Sequence, residues 1–239
     1  MAESAGARRS RRAARSKPEE VLASASTVPA PPAVLHITPA TWKAGTALHR
    51  VHLDLYAADA FNPGTKGNAR FSPIVNAVGK PIPTLYGGTS FNCAAMETVF
   101  HDLPFAPGLK TFAKHKLEGQ LHSVLAITAT LTLADLCNVP LRKLGVERKQ
   151  LIDTEKDTYG QTRKWAQAIH AQHAHIQGLC WTSRQDDSAM ALMLFGDRIG
   201  ADVLAQQGLS RSLLDDAAAI MELLALADRL GVRVVAGRA

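Results

Sequence analysis

A chain of 239 residues in which 46% of side chains are apolar has material for one sizeable core with ordinary extensions. Its formal charge of +6 sits almost wholly in residues 1–17, where Arg8, Arg9, Arg11, Arg12, Arg15 and Lys17 face only Glu3; the rest carries 21 basic and 20 acidic groups, which excludes a strongly basic nucleic-acid-binding face on the folded part. Cys93, Cys137 and Cys180 are odd in number, widely separated and form no Cys-x-x-Cys pair, so neither a zinc ribbon nor a disulfide framework is indicated, and no stretch has the length of a membrane span or the apolar core of a secretory signal, so the expectation is a soluble, cytoplasmic protein.

Residues 1–35 are basic and then rich in Ala, Ser and Pro, without apolar periodicity, and are expected to be disordered. Such a tail serves as an electrostatic tether to nucleic acid or anionic lipid, or simply as a solvated extension. Residues 36–239 are expected to form a single domain. Alternation over 47–53 predicts a strand presenting Arg50 and His52 on one face. Turn chemistry follows at Phe61-Asn62-Pro63-Gly64 and Lys66-Gly67-Asn68, then a short extended piece at Arg70-Phe71-Ser72 before Pro73. A brief strand should end at Tyr86, broken by Gly87-Gly88. Thr89 or Ser90 then caps a helix over Phe91 to Leu103, stopped by Pro104, with Glu97 one turn from Cys93.

Ser123 to Leu133 alternates Thr128, Thr130 and Thr132 with Ile127, Ala129, Leu131 and Leu133, the pattern of a half-buried antiparallel strand. Thr158 to His173 reads as a helix, Leu179 to Ser183 and Ala189 to Phe195 as strands, with Asp186-Asp187 in the turn between them. Ser212 to Leu230 reads as a helix capped by Ser212 and stopped by Gly231. Its apolar residues fall on more than one side, which fits core burial, packing between subunits of a homo-oligomer, or packing against an inhibitory partner. Strands and helices mix without regular alternation, so the fold class is α+β, with a mostly antiparallel or mixed central sheet flanked by helices. His170, His173 and His175 with Cys180 invite a metal test, but His175 is off the shared helix face and no acidic ligand stands nearby, so no metal site is expected.

The residues with the most chemistry are Arg50, Arg70, Tyr86, Glu97 and Ser183. Guanidinium forks grip phosphates, an aromatic ring stacks on a base, and a carboxylate stabilises positive charge developing on a sugar. Singly, each has a plainer reading as a surface pair, a packed ring, a solvated acid or a turn hydroxyl. Their phrases taken together lift them. Leu48-His49-Arg50, Phe61-Asn62-Pro63, Ala69-Arg70-Phe71-Ser72-Pro73, Leu85-Tyr86 and the run Ala94 to Asp102 (Ala-Ala-Met-Glu-Thr-Val-Phe-His-Asp), with the later Gly178–Phe195 segment, resemble in order and spacing the RES domain family, named for its Arg, Glu and Ser. The resemblance covers most of residues 46–200.

That resemblance implies an ADP-ribosyltransferase-like fold and an enzyme that degrades NAD, acting as a toxin held inactive by a helix-turn-helix antitoxin of the Xre type. It implies that Arg50 and Arg70 belong to the NAD pocket, with Tyr86 near the nicotinamide, Glu97 as the acidic residue and Ser183 bonding ribose or the carboxamide; Glu97 and Arg50 are the candidate catalytic residues. Ala69 stands where many relatives have glycine, and Glu97 falls on a helix where ADP-ribosyltransferases at large carry their glutamate on a strand. Water, phosphate or a protein side chain are all open as acceptor, so glycohydrolase, phosphorylase and protein ADP-ribosyltransferase share the pocket. A non-catalytic nucleic-acid-binding or interaction protein is the alternative that the basic tail would support.

Overall fold

The computed structural model describes residues 1, 27–64 and 66–237. Among the described residues twelve strands run in chain order: β1 Pro39–Trp42, β2 Ala47–Leu53, β3 Ile74–Val75, β4 Pro81–Ile82, β5 Thr84–Gly88, β6 Lys110–Ala113, β7 Gln120–Ile127, β8 Leu131–Asp135, β9 Gly178–Thr182, β10 Met190–Phe195, β11 Leu204–Ser212 and β12 Val232–Val235. Five α-helices join them: α1 Phe91–Thr98, α2 Asn138–Leu144, α3 Arg148–Leu151, α4 Tyr159–Gln172 and α5 Ala217–Arg229. Eight strands form a sheet in the order β1-β8-β9-β10-β5-β2-β7-β11, antiparallel except where β8 meets β9, and β6 pairs with β12 in parallel separately. This is the α+β class with a mixed sheet that the sequence predicts.

The sheet curls. The run read as one strand over 123–133 is two, β7 and β8, separated by Thr128–Thr130, and β1 and β2 are separated opposite them at 43–46. Pro39–Trp42 pair with Leu131–Ala134 and Ala47–Leu53 with Gln120–Ala126 in one uninterrupted register, yet the two halves lie near opposite ends of the strand order. A single long hairpin thus bends at its middle and carries the sheet around on itself, which periodicity cannot show because the alternation continues through the corner. Leu48, Leu85, Leu125, Leu133, Cys180 and Leu192 belong to one core cluster, Trp165 of α4 with Phe71, Trp181 and Phe195 to a second, and Val51 with residues of α1 and α5 to a third.

Several boundaries differ from expectation. The helix predicted over 91–103 ends at Thr98, with Ser90 accepting the Cys93 N–H as predicted, and the chain turns through 99–103. The helix predicted from Ser212 starts at Ala217 with Asp216 as cap; Ser212 closes β11 and its hydroxyl accepts the N–H groups of Leu214 and Asp215. Strand β11, polar and exposed along its middle, has little apolar signal and is missed by periodicity. Gly87 and Gly88 do not break the strand after Tyr86 but complete β5. Residues 70–72 form bends held from outside, by the Phe71 N–H donating to the Tyr86 hydroxyl and by Thr162 donating to the Arg70 carbonyl.

Residues 2–26, most of the stretch expected to be disordered, lie outside the described residues. Residues 27–35, the end of that stretch, pack: Leu35 is buried, the Trp165 indole donates to the Pro29 carbonyl at 2.8 Å, and the Leu35 amide donates to Gln172. Among the described residues, no helix is long and apolar enough to cross a membrane.

Candidate active site

Strands β2 and β5 are neighbours in the middle of the sheet but share one registered pair, His49 opposite Gly88. Around that point opens a cavity of about 680 Å³, lined by Arg50 to Leu53 of β2, by Thr84, Tyr86 and Gly87 of β5, by Glu97 of α1 and by Arg70. Four of the five residues singled out in the sequence, Arg50, Arg70, Tyr86 and Glu97, therefore meet in one place.

Each side chain is held differently. Arg50 Nη1 donates to the carbonyls of Ala58 and Ala60 at 2.6 and 2.8 Å, so the guanidinium also organises the loop after β2; burial lowers its pKa to about 10 against the opposing pull of Asp59. Arg70 is 5% exposed, and its Nε and Nη2 have no hydrogen-bond acceptor among the described residues. Its guanidinium lies 5.7 Å from the centre of the Tyr159 ring, a cation–π contact that leaves the N–H groups unsatisfied. A buried fork with orphaned donors is costly unless an anion completes it. Tyr86 is half-buried, packs edge-on to Trp181, and has its hydroxyl pKa raised to about 12, chiefly by burial.

Ser183 is the exception. It is fully buried and does not line the cavity; its hydroxyl donates to Glu97 Oε1 at 2.6 Å and accepts the backbone N–H groups of Gln185 and Asp186, both at 3.1 Å. Two accepted bonds use both lone pairs, so the single proton is directed at the carboxylate. Ser183 thus fixes Glu97, and is placed to position the acid rather than to touch a ligand. Glu97 is carried by α1, which lies close on β5 because Gly88 has no side chain: a Cβ there would stand 2.5 Å from Cys93 Sγ.

The sequence did not single out four further residues that line the cavity: His101, Asp102, Lys156 and Tyr159. His101 and Asp102 close the run that begins at Ala94, four and five residues after Glu97, a spacing that would have raised them; Lys156 and Tyr159 carry no local signal. The histidine group does not converge. His170 is buried and bonded to Asp197 at 2.9 Å, while His173 bonds the Leu35 carbonyl. Among the described residues, no group of three or more side chains is arranged to hold a metal ion.

The molecule is an α+β protein with a large curled sheet that splits around a charged, ring-lined cleft. The chain belongs to the RES domain family, whose pattern it matches over residues 47–224. Among solved structures, it is similar to a chain in the crystal structure of the M. tuberculosis MbcT–MbcA toxin–antitoxin complex, with 15% sequence identity, 77% of this chain and 92% of that chain covered, and a TM-score of 0.57, a likeness of fold. No curated protein matches the sequence.

Proposed function

We propose that this protein consumes NAD by cleaving the bond between nicotinamide and ribose, as a cytoplasmic toxin-type enzyme restrained by an Xre-type antitoxin. The observation that carries the reading is the meeting of Arg50, Arg70, Tyr86 and Glu97, from four separate stretches, around one cavity of a size that suits a nucleotide ligand. The orphaned Nε and Nη2 of Arg70 call for an anion, and a diphosphate supplies one. Membership of the RES family and a structural likeness to a chain of a toxin–antitoxin complex support the cellular setting.

The chemistry follows from the leaving group. When the C1′–N bond breaks, the electron pair stays with the pyridinium, which departs as a neutral ring, so no strong acid is required. The ribose left behind is oxocarbenium-like, and the Glu97 carboxylate, held by Ser183, stabilises it electrostatically. Arg70 and Arg50 hold the diphosphate, and Tyr86 flanks a ring. An acceptor oxygen then bonds to C1′ and loses its proton.

The test is incubation of purified protein with NAD, alone, with phosphate, or with lysate. Free ADP-ribose, its phosphorylated form or labelled protein would distinguish hydrolysis, phosphorolysis and transfer. Glu97→Ala is expected to lower nicotinamide release by at least about 100-fold while leaving the melting temperature near wild type. Turnover equal to wild type in that variant would sink the reading.

A further inference from the structure

The acceptor that attacks C1′ must shed a proton, and the cavity holds a group placed to take it. His101 lines the cavity with Glu97, four residues earlier in the chain. Its Nδ1 lies 2.8 Å from Asp102 Oδ1, and Asp102 Oδ2 lies 2.6 Å from the Lys156 ammonium. The ammonium and the imidazole together hold the Asp102 carboxyl below its ordinary pKa, with the Lys156 bond the larger cause. An ionised carboxylate only accepts, so in the neutral ring the Nδ1 position of His101 carries the hydrogen and the lone pair is on Nε2, open for chemistry. Among the described residues its hydrogen-bond partner is the Tyr159 hydroxyl, at 3.4 Å, a contact long enough for a water or phosphate oxygen to replace. The His101 carbonyl accepts from Gln185, on the turn whose Ser183 holds Glu97, so the same segment fixes the acid and the backbone that carries the imidazole.

We propose that His101, oriented by Asp102, is the catalytic base that removes the proton from the oxygen acceptor attacking C1′. In balanced form, the C1′–N bond breaks with its electron pair leaving on nicotinamide, a C1′–O bond forms from water or hydrogen phosphate, and the acceptor's proton passes to His101 Nε2. Asp102 keeps the ring oriented and stabilises the imidazolium, the part a carboxylate plays beside a catalytic histidine elsewhere. The proposal rests on the NAD-cleaving reading. The charged and titratable groups around the ring are Asp102, Lys156 through Asp102, and Tyr159 from α4, with Glu97 of α1 lining the same cavity.

The test compares wild type with His101→Gln and Asp102→Asn, following nicotinamide release from NAD with and without phosphate across pH 5 to 9. Wild type is expected to show an acid limb in kcat. His101→Gln should lower kcat about 10²-fold or more with KM for NAD little changed, and should lose that limb. Azide, an anion that attacks C1′ without giving up a proton, should restore turnover to His101→Gln and form the azido sugar product, which a merely structural role would not allow. Asp102→Asn should fall in the same direction by a smaller factor. If wild type turns over while both variants keep its kcat and pH limb, or if azide restores nothing to an impaired His101→Gln, the base assignment is wrong although NAD cleavage stands. If wild type leaves NAD intact under every condition, the parent reading fails and takes this one with it.

Discussion

Arg70 is the residue at which stability and the proposed function pull apart most plainly. It is buried with two donor atoms unsatisfied, and an unmet buried donor costs on the order of 1–3 kcal/mol. Replacing it by Met keeps the volume and removes the charge, so Arg70→Met is expected to melt at or above the wild-type temperature while NAD turnover falls at least about 100-fold; thermal unfolding and a depletion assay on one sample check both halves. The sequence offered this residue through its phrase, and Glu97 likewise, because short-range wording is preserved in linear order. It misplaced Ser183, since a hydroxyl's partner is set by the fold: nothing in Trp181-Thr182-Ser183-Arg184 says that the proton faces Glu97, 86 positions away. It passed over Tyr159 and Lys156 for the same reason.

At the scale of elements, the site depends on how tightly α1 seats on β5. Gly88 reads as a strand breaker in the sequence, yet it is in the strand, and its missing side chain admits Cys93 and the backbone of Ala94. Gly88→Ala would overpack this contact, so a loss of about 1–3 kcal/mol is expected, together with a fall in turnover larger than the unfolded fraction explains, because Glu97 moves with the helix. Denaturant titration alongside kinetics separates the two effects. Helix α5 is tied to the sheet by a polar chain: Glu222 pairs with Arg211, Arg211 donates to His122 Nδ1, and His122 meets His49 at 3.0 Å. Burial foremost, then His49 and Arg211, push His122 down to about 4 from 6.5. Between those values the unfolded chain takes up a proton that the folded chain refuses. This contribution to stability is therefore whole above pH 6.5 and is lost as pH falls towards 4. A drop of a few degrees in melting temperature is expected over that window, with a shallower slope in His122→Asn. The exposed side of α5 carries Met221 and Leu224, apolar as the helix pattern implied, beside the buried Leu223, Leu226 and Ala227.

At the scale of the whole molecule, the folded body begins earlier than its composition suggests. Leu35 is buried, and the Trp165 indole has its acceptor at Pro29. Truncation ahead of Thr27 keeps these contacts, whereas truncation through His36 removes them and leaves a buried indole donor unmet; the second is expected to cost about 2–4 kcal/mol more than the first by denaturant unfolding. The low-complexity wording of 18–35 hides this because three or four well-placed groups are enough to anchor a strap, and averages over a window do not register them.

What the sequence determined by itself was the family, the α+β class, the long helix read over 158–173 and found at 159–172, the strands read over 179–183 and 189–195 and found within one residue of those bounds, and the four side chains that share the cleft, since local periodicity and ordered phrases survive without knowledge of contacts. What only the tertiary structure decided was the bend that turns one hairpin into opposite ends of a curled sheet, the split between β2 and β5, the role of Ser183 behind Glu97, and the pairing of His101 with Asp102 at the cavity wall. Those depend on pairings between residues far apart in the chain and on where a side chain points, and neither has a signature in a local stretch of sequence.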